Sequence, residues 1–136
     1  MKKILVLCTG NSCRSQILEG WLRHFSEGQY QVYSAGIEAH GVNPDAIFFM
    51  NEVGVDISHH TSDLIDEYLA IEFDLVSTVC NHAKESCPVF PSTIKSIHCN
   101  FEDPSKTVEN QAEAYRRVIE ALRKYALFLR QKIDLG

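Results

Sequence analysis

Apolar residues along the chain switch between two periods. Lys3-Ile-Leu-Val-Leu7 is a short, nearly continuous apolar run, the pattern of a strand buried on both faces. From Ser15 to His24 the spacing turns helical, with Ile17, Leu18, Trp21, Leu22 and then Phe25 on one side. Gln31-Val-Tyr-Ser-Ala35 alternates and stops at Gly36, which predicts a second strand. Asn43-Pro44 pairs a capping side chain with proline at the first helical position, opening a helix that runs to about Val53 before Gly54. Phe73-Asp-Leu-Val-Ser-Thr-Val79 predicts a third strand and Lys95-Ser-Ile-His98 a fourth. The last helix carries Tyr115, Val118, Ile119, Leu122, Tyr125, Ala126, Leu129 and Ile133 as one apolar stripe. Arg116, Arg117, Glu120, Arg123 and Lys124 fall mostly opposite.

Strands alternating with helices predict an α/β fold, a four-stranded parallel sheet with helices on both faces. The 136 residues suit a single domain spanning 1–136, and no repeat, low-complexity tract or linker divides them. Hydrophobic residues at 45% and charged residues at 23% describe an ordinary globule. A formal net charge of −5, without a long basic run, argues against nucleic acid or an anionic membrane as partner. Any anion site must then be local. No apolar stretch approaches a membrane span, and Met1–Leu7 is cut too short by polar residues for an export signal. The expectation is a cytoplasmic monomer, whose five cysteines serve catalysis, metal binding or packing rather than a disulfide scaffold.

In parallel sheets, ligands sit beyond the carboxyl ends of the strands. Cys8 follows the first predicted strand, Cys80 the third and Asp103 the fourth. Cys8-Thr-Gly-Asn-Ser-Cys-Arg14 joins a strand directly to a helix. Consecutive N–H groups in such a turn can form an anion nest, reinforced by the helix N-terminus. Thr9, Gly10, Asn11, Ser12 and Cys13 would bind through this backbone. Gly10 and Asn11 tolerate positive φ, and Arg14 can fork onto two oxyanion oxygens. The same field is expected to depress the Cys8 thiol, with Ser15 placed to donate to the thiolate. The plain alternative is a strand-to-helix turn holding a buried cysteine.

Cys8-Thr-Gly-Asn-Ser-Cys-Arg-Ser15 resembles the loop of the low-molecular-weight protein tyrosine phosphatase fold. It is closer to the thioredoxin-coupled arsenate reductases on that fold, since Gln16 stands where the phosphatases usually have proline. The resemblance continues through Glu19-Gly-Trp21, Tyr33-Ser-Ala-Gly-Ile-Glu38, His40-Gly-Val-Asn-Pro44, Asp56-Ile-Ser58 and His60-Thr-Ser-Asp63, thinning after Asp103-Pro104. It implies that Cys8 attacks arsenic while Asp103 protonates the departing oxygen. Cys80 would then attack the Cys8 sulfur, and Cys87 would draw the disulfide to Cys80–Cys87 for reduction by thioredoxin. It also implies that no cofactor is obligatory, that a potassium ion can sit on Asn11, Glu19, Ser34 and Asp63, and that weak phosphatase activity accompanies the loop. Where that family usually has Trp-Gly before the acidic pair, this chain has Cys99-Asn100.

Alternatives stand beside each of these assignments. Cys80 and Cys87 can be packing residues, or zinc ligands with His82, His98 or Cys99, although six intervening residues exceed the usual structural zinc spacing of about two to four. Were 80–87 helical, the two Cα atoms would lie roughly 10.5 Å apart, beyond the roughly 4.4–6.8 Å of a disulfide. The relay therefore requires that segment to loop or unwind upon oxidation. Asp103-Pro104 can be a simple turn, and the four oxygen donors can be hydrogen-bonding and capping groups. The competing functions are a phosphoester phosphatase and a redox or arsenic-binding module without turnover.

Overall fold

The computed structural model describes residues 1–80 and 94–135. Its strands are β1 (Lys2–Cys8), β2 (Tyr30–Gly36), β3 (Leu75–Thr78) and β4 (Lys95–His98), all parallel, in the order β2-β1-β3-β4. The helices are α1 (Arg14–Ser26), α2 (Pro44–Glu52) and α3 (Gln111–Leu135), with single 3-10 turns at Ile65–Tyr68 and Pro104–Lys106. Every predicted strand and helix is present. The third strand is shorter than predicted at both ends; at its start the Asp74 carboxylate accepts from Lys3 N–H at 2.8 Å. The two 3-10 turns had no periodicity to announce them.

Ile4, Leu5, Val6 and Leu7 are all fully buried, so β1 is covered on both faces. Tyr30, Val32 and Ser34 face α1: Tyr30 Oη donates to Leu22 O at 2.9 Å, and Arg23 Nη2 to Val32 O at 2.9 Å. Tyr33, one residue out of phase, packs edge-on against Tyr68 and Phe73 on the other side. Helix α3 buries the predicted stripe against α1, where the Trp21 indole donates to Ile119 O at 3.1 Å. Its charged face is spent on pairs with Glu52, Glu102 and Glu120. Among the described residues, no helix is long and apolar enough to cross a membrane.

The two N-terminal helices start differently. Asn43 caps α2, its Oδ1 accepting from Asp45 N–H at 2.8 Å and Ala46 N–H at 3.4 Å. Helix α1 follows Cys13 with no side-chain cap at all. Its first N–H groups are thereby left for something other than protein.

Gly36 ends β2 beneath the loop that joins β1 to α1. A Cβ there would lie 2.7 Å from Asn11 N and 2.8 Å from Thr9 O, both rigid backbone atoms. We expect Gly36→Ala to cost about 1–3 kcal/mol through overpacking, seen as a fall of several degrees in Tm by calorimetry. An unchanged Tm would mean that the loop is not seated on Gly36.

Candidate active site

Parallel strands bring their carboxyl ends to one edge, and Cys8, Cys80 and the 99–103 loop meet there as expected. A cavity of 220 Å³ opens between them, lined by Cys8, Thr9, Gly10, Ser12, Cys13 and Arg14 on one side. His40, Asp103, Ser105 and Lys106 close the other.

The loop's geometry follows from where its carbonyls go. Cys8 O accepts from Ile37 N–H, Thr9 O from Glu38 N–H, Gly10 O from His40 N–H and Ser12 O from Asn43 N–H, at 2.9–3.4 Å. Asn11 O accepts from the Gln16 amide at 3.0 Å, and Cys13 O from Ile17 N–H at 2.9 Å. No peptide here is cis. In a trans peptide the N–H points opposite the carbonyl. Six outward carbonyls therefore turn the N–H groups of residues 9 to 14 inward, toward the uncapped start of α1. This is the anion nest, and Asn11 supplies its left-handed turn at φ 48°.

Arg14 lies along the cavity wall, Nη1 donating to Phe101 O at 2.8 Å while Nη2 stands 3.7 Å from Asp103 Oδ2. The other Asp103 oxygen accepts from Ser105 N–H at 3.0 Å and Ser105 Oγ at 2.6 Å, capping the 3-10 turn. Asp103 is thus both the turn residue and a cavity residue; the two readings do not exclude each other. Glu102 beside it is tied to α3 by a two-pronged pair with Arg117 at 2.6 and 3.0 Å.

Cys8 and Cys80 are both buried, and Cys80 stands close enough to Cys8 to act on its thiol. Thr9 Oγ1 lies 3.1 Å from Cys80 Sγ. Two expectations change here. The Cys8 thiol was expected to be depressed, yet the hydrogen bond with Cys80 and burial push it up, with Arg14 pulling it down. A second sulfur packed on the nucleophile was invisible in the sequence. Ser15 was expected to donate to Cys8, but its buried hydroxyl has no hydrogen-bond partner among the described residues. The Cys8 sulfur is engaged by Cys80 instead. Cys13 is buried beside Tyr115, and burial pushes its thiol up to about 12, as suits a structural thiol. Cys99 is half-buried, its N–H donating to Thr78 O. Cys87 and His82 lie outside the described residues, as does the whole 81–87 segment between the relay cysteines. Among the described residues, no group of three His, Cys, Asp or Glu is set to hold a metal.

Of the four oxygen donors assigned to potassium, three converge. Ser34 Oγ stands 3.1 Å from Asn11 Oδ1 and donates to Glu19 Oε1 at 2.6 Å. Glu19 also takes Arg23 at 2.7 Å. The Asp63 carboxylate turns instead to Thr61 Oγ1 and Tyr68 Oη. His60, 3.6 Å from Glu19, is pushed down, burial outweighing that carboxylate. Sequence reasoning missed His40, Ser105 and Lys106 at the cavity mouth and Gln16 under the loop. An exposed polar residue on a loop carries no periodic signal, so only the fold could place the first three.

A family model described as low molecular weight phosphotyrosine protein phosphatase matches residues 3–134. An arsenate reductase of Halalkalibacterium halodurans is 50% identical over 126 residues, covering 90% of this chain and 91% of its own. One of Bacillus subtilis is 44% identical over 135 residues, covering 99% and 90%. A solved arsenate reductase in the oxidized state superposes with a TM-score of 0.87 at 33% identity, covering 98% and 99% of the two chains. With the family model matching nearly the whole length, the chain belongs to the low molecular weight phosphotyrosine protein phosphatase family.

Proposed function

We propose that the chain reduces arsenate to arsenite by a thiol relay that starts at Cys8. The observation that carries this reading is Cys80, buried beside Cys8 with its sulfur 3.1 Å from Thr9 Oγ1 of the nest. A hydrolase needs no second thiol there; a reductase must deliver two electrons. The relatives named arsenate reductase, aligned over nearly the full chain, support the same conclusion.

Arsenate enters the nest, its oxygens taken by the N–H groups of residues 9 to 14 and the Arg14 fork. Its arrival at Cys8 displaces Cys80, removing the chief upward push on the thiol. The Ser15 hydroxyl, buried and uncommitted, is then a donor for the thiolate. Cys8 sulfur bonds to arsenic as an As–O bond breaks, and the oxygen leaves as water after Asp103 donates a proton. Cys80 next attacks the Cys8 sulfur. A sulfur–sulfur bond forms, the As–S bond breaks, and its electron pair takes arsenic from +5 to +3. Cys87 then attacks Cys80, releasing Cys8 and leaving a Cys80–Cys87 disulfide for thioredoxin. The nest, Cys8 and Asp103 suffice for slow phosphoester hydrolysis, which is the second reading the family supports.

A potassium ion fits the oxygen-only set of Asn11, Glu19 and Ser34, with Asp63 at its edge. It would offset the Glu19 charge and hold Asn11, without touching substrate.

Three outcomes test this account. Protein supplied with arsenate, thioredoxin, thioredoxin reductase and NADPH should consume NADPH. Cys8→Ser, Cys80→Ser and Cys87→Ser should each abolish turnover, while the last two keep any phosphatase activity; full turnover in Cys80→Ser or Cys87→Ser would sink the relay. Because Cys80 raises the Cys8 thiol, Cys80→Ala should move the pH midpoint of Cys8 alkylation downward, read peptide by peptide in mass spectra. A midpoint that stays or rises contradicts the sulfur contact. Finally, potassium chloride should raise Tm above equimolar sodium chloride in the parent protein but not in Glu19→Gln. Equal Tm in both salts removes the ion from the account.

A further inference from the structure

Five of the six loop carbonyls are held by backbone N–H groups, and Asn11 O is held by the side chain of Gln16. Gln16 is fully buried in the first turn of α1. Its Nε2 donates to Asn11 O at 3.0 Å and to Thr61 O at 2.9 Å, and also touches Asn11 Oδ1. Its Oε1 meets His60 Nδ1 at 3.0 Å. Every polar atom of the amide is therefore engaged, and the group cannot rotate without breaking several bonds at once.

We propose that Gln16 is a positioning residue for oxyanion binding: it locks the Asn11–Ser12 peptide with its carbonyl out and its N–H in. Asn11 is the one left-handed residue of the loop. A peptide next to such a residue has a ready alternative, a flip that exchanges the directions of C=O and N–H. The flipped form would take one donor from the nest and aim a carbonyl oxygen at the anion. Backbone pairing prevents this at the other positions, because Ile37, Glu38, His40 and Asn43 follow the loop in register. At Asn11 the group brought alongside is itself a carbonyl, Thr61 O, held by the same Gln16 Nε2. Two carbonyl oxygens cannot bond each other, and a side-chain amide with two hydrogens bridges them. Gln16 acts through Asn11 and does not touch substrate.

This inference rests on the loop being an oxyanion site, and the test separates the two. Inorganic phosphate is the probe, its Kd measured by calorimetry in potassium and again in sodium buffer. Gln16→Met keeps the length and loses both donors; Gln16→Glu keeps an acceptor toward His60 and places oxygen against oxygen. Each folded variant should bind phosphate about tenfold or more weakly, in both buffers, with KM for arsenate rising alongside. Reduction of the oxidised Cys80–Cys87 form by thioredoxin should keep its parent rate. A variant with lowered Tm but unchanged phosphate Kd would show a merely structural role and overturn the proposal, as would a loss confined to potassium buffer. If Gln16→Met fails to fold, Gln16→Glu carries the same decision. Should the parent protein itself not bind phosphate, the oxyanion reading falls first.

Discussion

The site depends on one constraint: the carbonyls of residues 8 to 13 are all tied outward. A short loop has as many C=O groups as N–H groups, and an anion tolerates only the second. Pairing the carbonyls with the chain that follows β2, with α1 and with Gln16 leaves a surface of donors on a protein of net charge −5. The seating explains residues that otherwise look incidental. Gly36 lets the loop lie directly on β2, and the uncapped start of α1 adds its first N–H groups to the same cavity. A capping side chain, so useful on α2, would here compete with the ligand.

On that cradle the chemistry is decided by what stands next to Cys8. An oxyanion nest with a thiol at its base serves phosphoryl transfer and arsenate attack equally, because the two anions are near-isosteres. Cys80 breaks the tie. Its proximity, together with burial, pushes the Cys8 thiol up while Arg14 pulls it down. A thiol raised in this way is less exposed to adventitious oxidation than a standing thiolate.

The fold was legible because its signals are periodic. The continuous apolar run of β1, the alternation of β2, the α3 stripe and the Asn43-Pro44 cap each follow from local physics, and the parallel sheet follows from their order. The cysteines and Asp103 were legible through position, since strands that run parallel must end together. What stayed hidden is everything set by contact across the chain. Cys8 and Cys80 come together across 72 residues of sequence, the difference between their numbers. Gln16 reads as one polar residue in an apolar helix until Thr61 and His60 arrive beneath it. Asp63, assigned with the potassium donors, turns to Thr61 and Tyr68 because the 3-10 turn at Ile65–Tyr68 brings that hydroxyl within 3.1 Å.

A relay also asks for unequal mobility, and the structure distributes its attachments accordingly. Cys8 belongs to a strand with neighbours on both edges and cannot move without unzipping β1. Asp103 is anchored at Ser105 and through Glu102 to α3. Cys80 sits just past β3, its sulfur 3.1 Å from the Thr9 hydroxyl and beside Cys8. A neutral hydrogen bond of that kind is worth only about 0.5–1.5 kcal/mol net. Cys8 is built into the sheet, whereas Cys80 lies beyond the last residue of β3. The Thr9 hydroxyl, part of the nest itself, fixes the direction of the Cys80 sulfur.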